Sequence, residues 1–143
     1  MAKTYRTTLV RRIGNALFAP ALKAGLVPPY ALLTVVGRTS GQPRSTPVRV
    51  LTHEGWKYVV APYGEVDWAR NARAAGEVTL RRGRGTTAYA VVEVEAAEAG
   101  PVLKAYARVE PITRPYFDAR PSDPPAAFAA EAGRHPVFRL ERI

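Results

Sequence analysis

Between residues 37 and 44 the chain reads Gly37-Arg38-Thr39-Ser40-Gly41-Gln42-Pro43-Arg44, its densest concentration of groups able to hold an anion. Two glycines let the backbone approach a ligand closely or adopt positive φ. Two hydroxyls, two guanidiniums and the exposed amides around them can cradle a phosphate. On composition alone, Gly-x-x-x-Gly between two strands is more often a plain turn. It is neither a P-loop nor a dinucleotide fingerprint, because no helix follows it. A second candidate is the stretch from Ala61 to Asn71, where Tyr63, Gly64, Trp68, Arg70 and Asn71 lead into a short helix. Free amides and the helix dipole favour an anion there. Glu65 and Asp67 in the same stretch oppose one, so by itself this loop reads as structural.

Conventional catalytic machinery is thin. His53 falls in a turn and His135 precedes a proline; neither has partners at metal-ligand spacing, and both are expected at the surface. Ser40, Ser45 and Ser122 lie in no nucleophile-elbow pattern. Glu93 and Glu95 alternate along one strand as acids on a wet face do, which gives no support to a paired-carboxylate mechanism. The chain has no cysteine, hence no disulfide, thiolate nucleophile or cysteine metal site. No side chain is assigned as a catalytic acid, base or nucleophile, and no metal is expected. If the protein is an enzyme, a bound cofactor carries the reactivity and the protein supplies position and electrostatics.

The charge distribution gives that cofactor a character. Of 21 basic and 12 acidic residues, the segment through Arg84 holds 14 basic and 4 acidic, leaving 7 and 8 for the remainder. The net charge of +9 is thus confined to the first part, which points to an anionic partner: a phosphate-bearing ligand, a membrane surface or nucleic acid. No nucleic-acid module is recognisable and the aromatics are not interleaved with basic runs, so nucleic acid is not expected. At 143 residues, 47% hydrophobic and 23% charged, the chain suits one globular domain. It lacks the apolar run of about 20 residues that spans a bilayer, and its start lacks a secretory signal. The reading is a cytoplasmic protein.

The elements that must position these residues can be placed in outline. Helical spacing of Leu9, Ile13, Leu17, Ala21 and Ala24 predicts a basic amphipathic helix over Thr7 to Leu26, kinked at Pro20. Its apolar face either caps the domain, the favoured reading, or makes peripheral contact with an anionic membrane. Strands are predicted at Tyr30 to Val36, Arg44 to Thr52, Trp56 to Ala61, Glu77 to Arg82, Thr86 to Glu95 and Pro136 to Ile143. Helices are predicted from Trp68 to Ala75, N-capped by Asp67 and ended by Gly76, around Val102 to Val109, and from Ala126 to Ala132. The fold class is mainly β (α+β): a barrel of about six antiparallel strands with a leading helix and short additional helices. One domain is expected over 1–143, with a helical segment at 1–29, the barrel core at 30–97, and a helix, a proline-rich segment and a last strand at 98–143.

The run Leu32 to Arg44, continued by Ser45 to Leu51, Val59-Val60-Ala61, Trp68-Ala69-Arg70-Asn71 and Gly76-Glu77-Val78, resembles the deazaflavin-dependent nitroreductase family, also described as quinone reductases. The resemblance implies a split β-barrel that binds coenzyme F420 and passes hydride to a quinone, a nitroaromatic or another small electron-poor acceptor. It implies that Arg38, Thr39, Ser40, Gly41 and Arg44 meet the phosphate and acidic tail. Pro47, Val48 and Arg49 would line the deazaflavin ring, with Ala61, Pro62 and Tyr63 opposite. Trp68 and Asn71 would complete the phosphate end, and Tyr106 and Tyr116 would face the substrate. Thr39 stands where many relatives carry lysine. FMN is the alternative cofactor, since related barrels use it. The alternative function is a weakly catalytic or non-catalytic protein that binds the deazaflavin or a lipid-like ligand. A monomer and a homodimer are both compatible with the sequence.

Overall fold

The computed structural model describes residues 28–143, so the helix expected over Thr7 to Leu26, and any membrane contact through it, lie outside the described residues. Seven strands form one antiparallel sheet: β1 (Tyr30–Val36), β2 (Pro43–Arg49), β3 (Leu51–His53), β4 (Trp56–Val60), β5 (Glu77–Arg82), β6 (Gly85–Glu93) and β7 (Val137–Arg142). Their order is β2-β1-β5-β6-β7-β4-β3. The seventh strand arises because the stretch expected as one strand from Arg44 to Thr52 is two. At Val50 it leaves β1, and after Val50 it pairs with β4 instead. The Val50 amide, freed from both ladders, donates to the Pro29 carbonyl at 3.1 Å. The two outer strands of the sheet are therefore consecutive pieces of the same chain, and the sheet curls round on itself as a split barrel.

Alternation explains what each face meets. Along β4, Val59 points into the barrel, where it joins Leu33, Val48, Val78, Phe138 and Leu140. Tyr58 and Val60 point outward with Val137 and pack against Val102, Leu103 and Tyr106 of a second cluster. Both faces of the β4–β7 pair are thus covered, one by the barrel interior and the other by α2 (Ala96–Val109). A shorter helix, α1 (Asp67–Ala75), plugs the barrel with Ala69 and Ala72, which are fully buried and one turn apart. Asp67 is its first helical residue rather than its cap: Val66 holds the cap position and no side chain bonds the free amides. Gly76 ends the helix in the left-handed conformation, φ 73°, with its amide on the Ala72 carbonyl.

Helix α2 starts at Ala96, six residues ahead of the expected Val102, and carries Pro101 inside it. One lost backbone bond is outweighed here by burying Ala99, Gly100, Val102 and Leu103 together. After α2 come a 3-10 turn (Pro111–Tyr116), then α3 (Pro125–Ala129) and a second 3-10 turn (Ala132–Arg134), which replace the single helix expected to Ala132. Helix α3 crosses α2 at Gly100, where a Cβ would stand 2.6 Å from the Pro125 carbonyl oxygen and 3.0 Å from Ala129 Cβ. Gly100→Ala gains about 1 kcal/mol of helix propensity but forces two backbones apart, which costs about 1–3 kcal/mol. A net loss of up to roughly 2 kcal/mol in urea unfolding is the expected outcome; a stabilised variant would show that α3 yields freely.

His135, expected at the surface, is 2% exposed. Its Nε2 lies 2.8 Å from Glu131 Oε1 and its Nδ1 lies 2.7 Å from the Pro62 carbonyl oxygen. The Glu131 carboxylate is itself buried and accepts the Asp118 amide at 3.0 Å and the Ala119 amide at 2.8 Å. Phe117 stacks on the imidazole with ring centroids 4.2 Å apart. The residue thus acts as a strut between the tail of the chain and the loop after β4.

Candidate functional site

The turn from Gly37 to Gln42 is shaped by its own bonds. Gly37 N–H donates to the Gln42 carbonyl at 2.8 Å, and Gly41 N–H to the Gly37 carbonyl at 2.9 Å. Gly41 has φ 71°, which strains any larger residue, and a Cβ on Gly37 would lie 2.7 Å from Ser40 Oγ, so that the hydroxyl would have to turn away. Arg38 ties the turn to α1: its amide and its Nη1 both donate to Asn71 Oδ1, at 3.0 and 2.8 Å, and its Nη2 lies 3.6 Å from Asp67. Asn71 is 5% exposed, a buried amide whose acceptor is fully used. Arg44, at the other side of the turn, makes no hydrogen bond or ion pair among the described residues and keeps its guanidinium available.

Of the two acids expected to repel an anion, Glu65 is engaged elsewhere, whereas Asp67 stays at the turn, 3.6 Å from Arg38 Nη2. Arg73 donates twice to Glu65, at 2.8 and 2.9 Å, and twice to Glu93, at 2.6 and 2.9 Å. The Arg73 hydrogen bonds hold the Glu65 carboxyl below the usual glutamate range. Glu65 is thereby matched on the outer surface of α1.

A cavity of about 860 Å³ begins at this turn, within the range of small-molecule sites. Six consecutive residues of β2 and its start, Arg44 to Arg49, line it. A cavity over one face of a strand would touch every second residue. An unbroken run means that it lies along the strand's edge, and among the described residues β2 has no strand partner on the side away from β1. Opposite this edge stand Pro62, Tyr63, Val66, Trp68 and Asn71. The register places Val36 opposite Pro43 at the turn and Tyr30 opposite Arg49 at the far end. Six residue steps make that distance about 20 Å.

The far end differs in chemistry. Tyr30 donates its hydroxyl to Glu110 Oε1, and Arg49 Nη1 donates to the same oxygen at 2.5 Å. Burial pushes the Tyr30 hydroxyl up, reinforced by Glu110. Tyr106 lies beside them, 6% exposed, its hydroxyl pushed well above the usual range by burial. Ile112, Thr113 and Val109 complete an apolar rim.

Of the residues assigned from sequence, Arg38, Thr39, Ser40, Arg44, Pro47, Val48, Arg49, Pro62, Tyr63, Trp68, Asn71 and Tyr106 border this one cavity. Three do not. Gly41 shapes the turn from outside it, and Ala61 is fully buried in the barrel with its amide on the Pro136 carbonyl. Tyr116 packs edge-on against Tyr63, ring centroids 4.7 Å apart, one layer behind the wall. The sequence reading missed Tyr30, Glu110, Ile112 and Thr113. Tyr30 was within reach, since pairing across the 37–42 turn sets it opposite Arg49. Glu110 had no local signal: it follows the last residue of α2 and reaches β1 and β2 only through the tertiary fold.

The donor set fits an elongated anionic ligand with a planar end. Guanidiniums, hydroxyls and the Thr39 and Ser40 amides, the two of this turn not used in its own bonds, gather at one end, and aromatic and aliphatic walls with an ion pair at the other. Among the described residues no cluster of three or more metal-ligating side chains occurs, and no helix is long and apolar enough to cross a membrane.

Residues 3–116 match the family model described as F420H(2)-dependent quinone reductase. The fold is similar to that of an F420-H2 dependent reductase, with 22% identity, 80% of this chain and 95% of that one covered, and a TM-score of 0.55. It is also similar to a NimC/NimA family protein from Clostridium acetobutylicum (15% identity, 86% and 81% covered, TM-score 0.53). A third is General Stress Protein 26 from Bacillus anthracis (14% identity, 79% and 78% covered, TM-score 0.52). No curated protein matches the chain by sequence.

Proposed function

The chain belongs to the F420H2-dependent quinone reductase family and is an oxidoreductase whose cofactor is coenzyme F420, and from that premise we propose that the coenzyme lies along the bare edge of β2 and serves a small electron-poor acceptor, a quinone or a nitroaromatic. The observation that carries this reading is the cavity's polarity: a basic, hydroxyl-bearing turn at one end and an aromatic chamber about 20 Å away. Arg38, Ser40 and Arg44 would hold the phosphate and acidic tail, with Thr39 and Asn71 completing that end. Pro47, Val48 and Arg49 would meet one side of the ring, and Pro62, Tyr63 and Trp68 the other. When bound in its reduced form, the coenzyme supplies a hydride.

The protein's part is position and shelter. Pro47 and Val48 offer a flat wall without side-chain donors, which suits an aromatic face. Trp68 is held by Phe138 of the barrel interior, ring centroids 5.9 Å apart, so that wall is rigid. Hydride transfer needs reacting atoms held at about 3–3.5 Å, and fixed walls contribute through geometry rather than acid–base chemistry. Tyr106, with its hydroxyl kept protonated by burial, can donate a hydrogen bond to an acceptor oxygen throughout the neutral range.

Titration with oxidised coenzyme F420, followed by fluorescence, tests the reading. Saturation below tens of micromolar and oxidation of the reduced coenzyme on adding 1,4-naphthoquinone are expected. No spectral change at that concentration would reject it, since even that affinity corresponds to only about 6 kcal/mol.

A further inference from the structure

The ion pair at the far end of the cavity is joined in a way that leaves much of it unused. An arginine and a carboxylate that serve only each other commonly meet as two parallel hydrogen bonds. Arg49 and Glu110 meet at a single point, Nη1 on Oε1, and Tyr30 donates to that same oxygen. Nη1 also reaches the Val109 carbonyl oxygen at 3.4 Å. A guanidinium has five N–H donors. Nε is enclosed and has no partner among the described residues. Apart from the guanidinium's contact with the Tyr30 hydroxyl, Nη2 and the second carboxylate oxygen, Oε2, are left without a hydrogen bond among the described residues, and neither is enclosed. Both side chains line the cavity and are mostly buried, 18% and 12% exposed. One ion pair therefore leaves a donor and an acceptor over at the apolar end of the cavity.

We propose that Arg49 and Glu110, steadied by Tyr30, form a recognition site for the imide edge of a planar heterocycle. Nη2–H donates to a ring carbonyl and Oε2 accepts the neighbouring ring N–H. This assignment rests on the reading that the cavity holds the coenzyme, whose deazaflavin ring carries a –CO–NH–CO– edge. It makes the pair the feature that fixes which way the ring faces. A quinone has carbonyl acceptors and no N–H, so at this pair it sets an oxygen against Oε2. The donor–acceptor pattern thus selects the ring of the coenzyme over the electron acceptor. A site built to accept a hydrogen bond rejects an analogue that lacks the donor, because its own buried group is left unpaired.

The probes are lumiflavin, a tail-free tricycle whose one ring N–H is that of the same imide edge, and its N3-methyl derivative, titrated by fluorescence against the full chain. The wild type is expected to bind lumiflavin at least tenfold more tightly than the N3-methyl probe. Glu110→Gln can set an amide N–H where Oε2 stood and should bring the two probes to within about twofold. Arg49→Lys keeps a cation beside Glu110 but loses the planar fork, and should weaken lumiflavin roughly tenfold. Equal binding of both probes by the wild type overturns the assignment. So does a preference that survives in Glu110→Gln, since the methyl group is then rejected by bulk alone. Should that variant fail to fold, Arg49→Lys and the wild-type comparison decide. Titration of the wild type with oxidised coenzyme F420 separates the two readings. No coenzyme binding sinks the proposed function itself, whereas coenzyme binding without probe discrimination sinks only the imide assignment.

Discussion

Glu131→Ala is expected to lower the stability of the fold by about 3–5 kcal/mol, the range for breaking a buried charged network by removing one partner. The carboxylate, its side chain 4% exposed, serves two backbone amides and the imidazole of His135. Each donor left unpaired in the interior costs about 1–3 kcal/mol, so three of them account for the total even if water reaches one. Glu131→Gln keeps the shape and one acceptor oxygen, and should cost roughly half as much. Urea unfolding of the three proteins, with constant slope, is the measurement. A loss below about 1 kcal/mol for the alanine variant would mean that the amides of Asp118 and Ala119 find other partners. Because His135 also holds the Pro62 carbonyl, loosening the network should release one wall of the cavity and weaken ligand binding in proportion.

The second large effect concerns affinity. Arg38→Ala should weaken coenzyme binding by about 1.5–3 kcal/mol, the worth of a charged hydrogen bond, or roughly tenfold to a hundredfold. Fold stability should fall by only about 1 kcal/mol, because Asn71 Oδ1 loses Nη1 but keeps the backbone amide of residue 38, and the contact with Asp67, at 3.6 Å, is long and screened. Asn71→Ala makes the sharper comparison. It leaves the arginine in place but removes the oxygen that fixes both its amide and its Nη1. A smaller loss, about tenfold, is expected, with part of the loss recovered at low salt, where a mobile cation still attracts an anion over a longer range. Affinity for the oxidised coenzyme unchanged in both variants would remove the Gly37–Arg44 turn from the ligand site.

What the sequence could and could not reveal follows from the range of the interactions. Strand positions and the Gly37–Gln42 turn are local, written in alternation and in glycine, and they were legible. The break at Val50 was not: Pro47 to Thr52 alternates without interruption, and only pairing with two different neighbours divides it. Helix α2 begins six residues before the expected Val102, because what holds Ala96 to Pro101 in a helix is the burial of Ala99 and Gly100 rather than a local pattern. His135 next to a proline carries the pattern of a surface loop, and its burial depends on Glu131 and on Pro62 far back in the chain. The family resemblance brought most of the cavity residues together in advance. It could not reach Glu110, whose partners come from β1 and β2.

The edge of β2, unpartnered among the described residues, also bears on association between molecules. A strand with free amides and carbonyls on one side is a template for any passing strand, and natural proteins shield such edges with prolines, charges or cover. β2 carries two of these devices, Pro43 and Pro47 within its span and Arg44 and Arg49 beside them. A ligand lying along the same groups would be the third. Occupancy of the cavity and edge-to-edge aggregation then compete for one set of backbone hydrogen bonds. The ligand-free protein is the form expected to self-associate on storage, with the bound molecule serving as its chaperone.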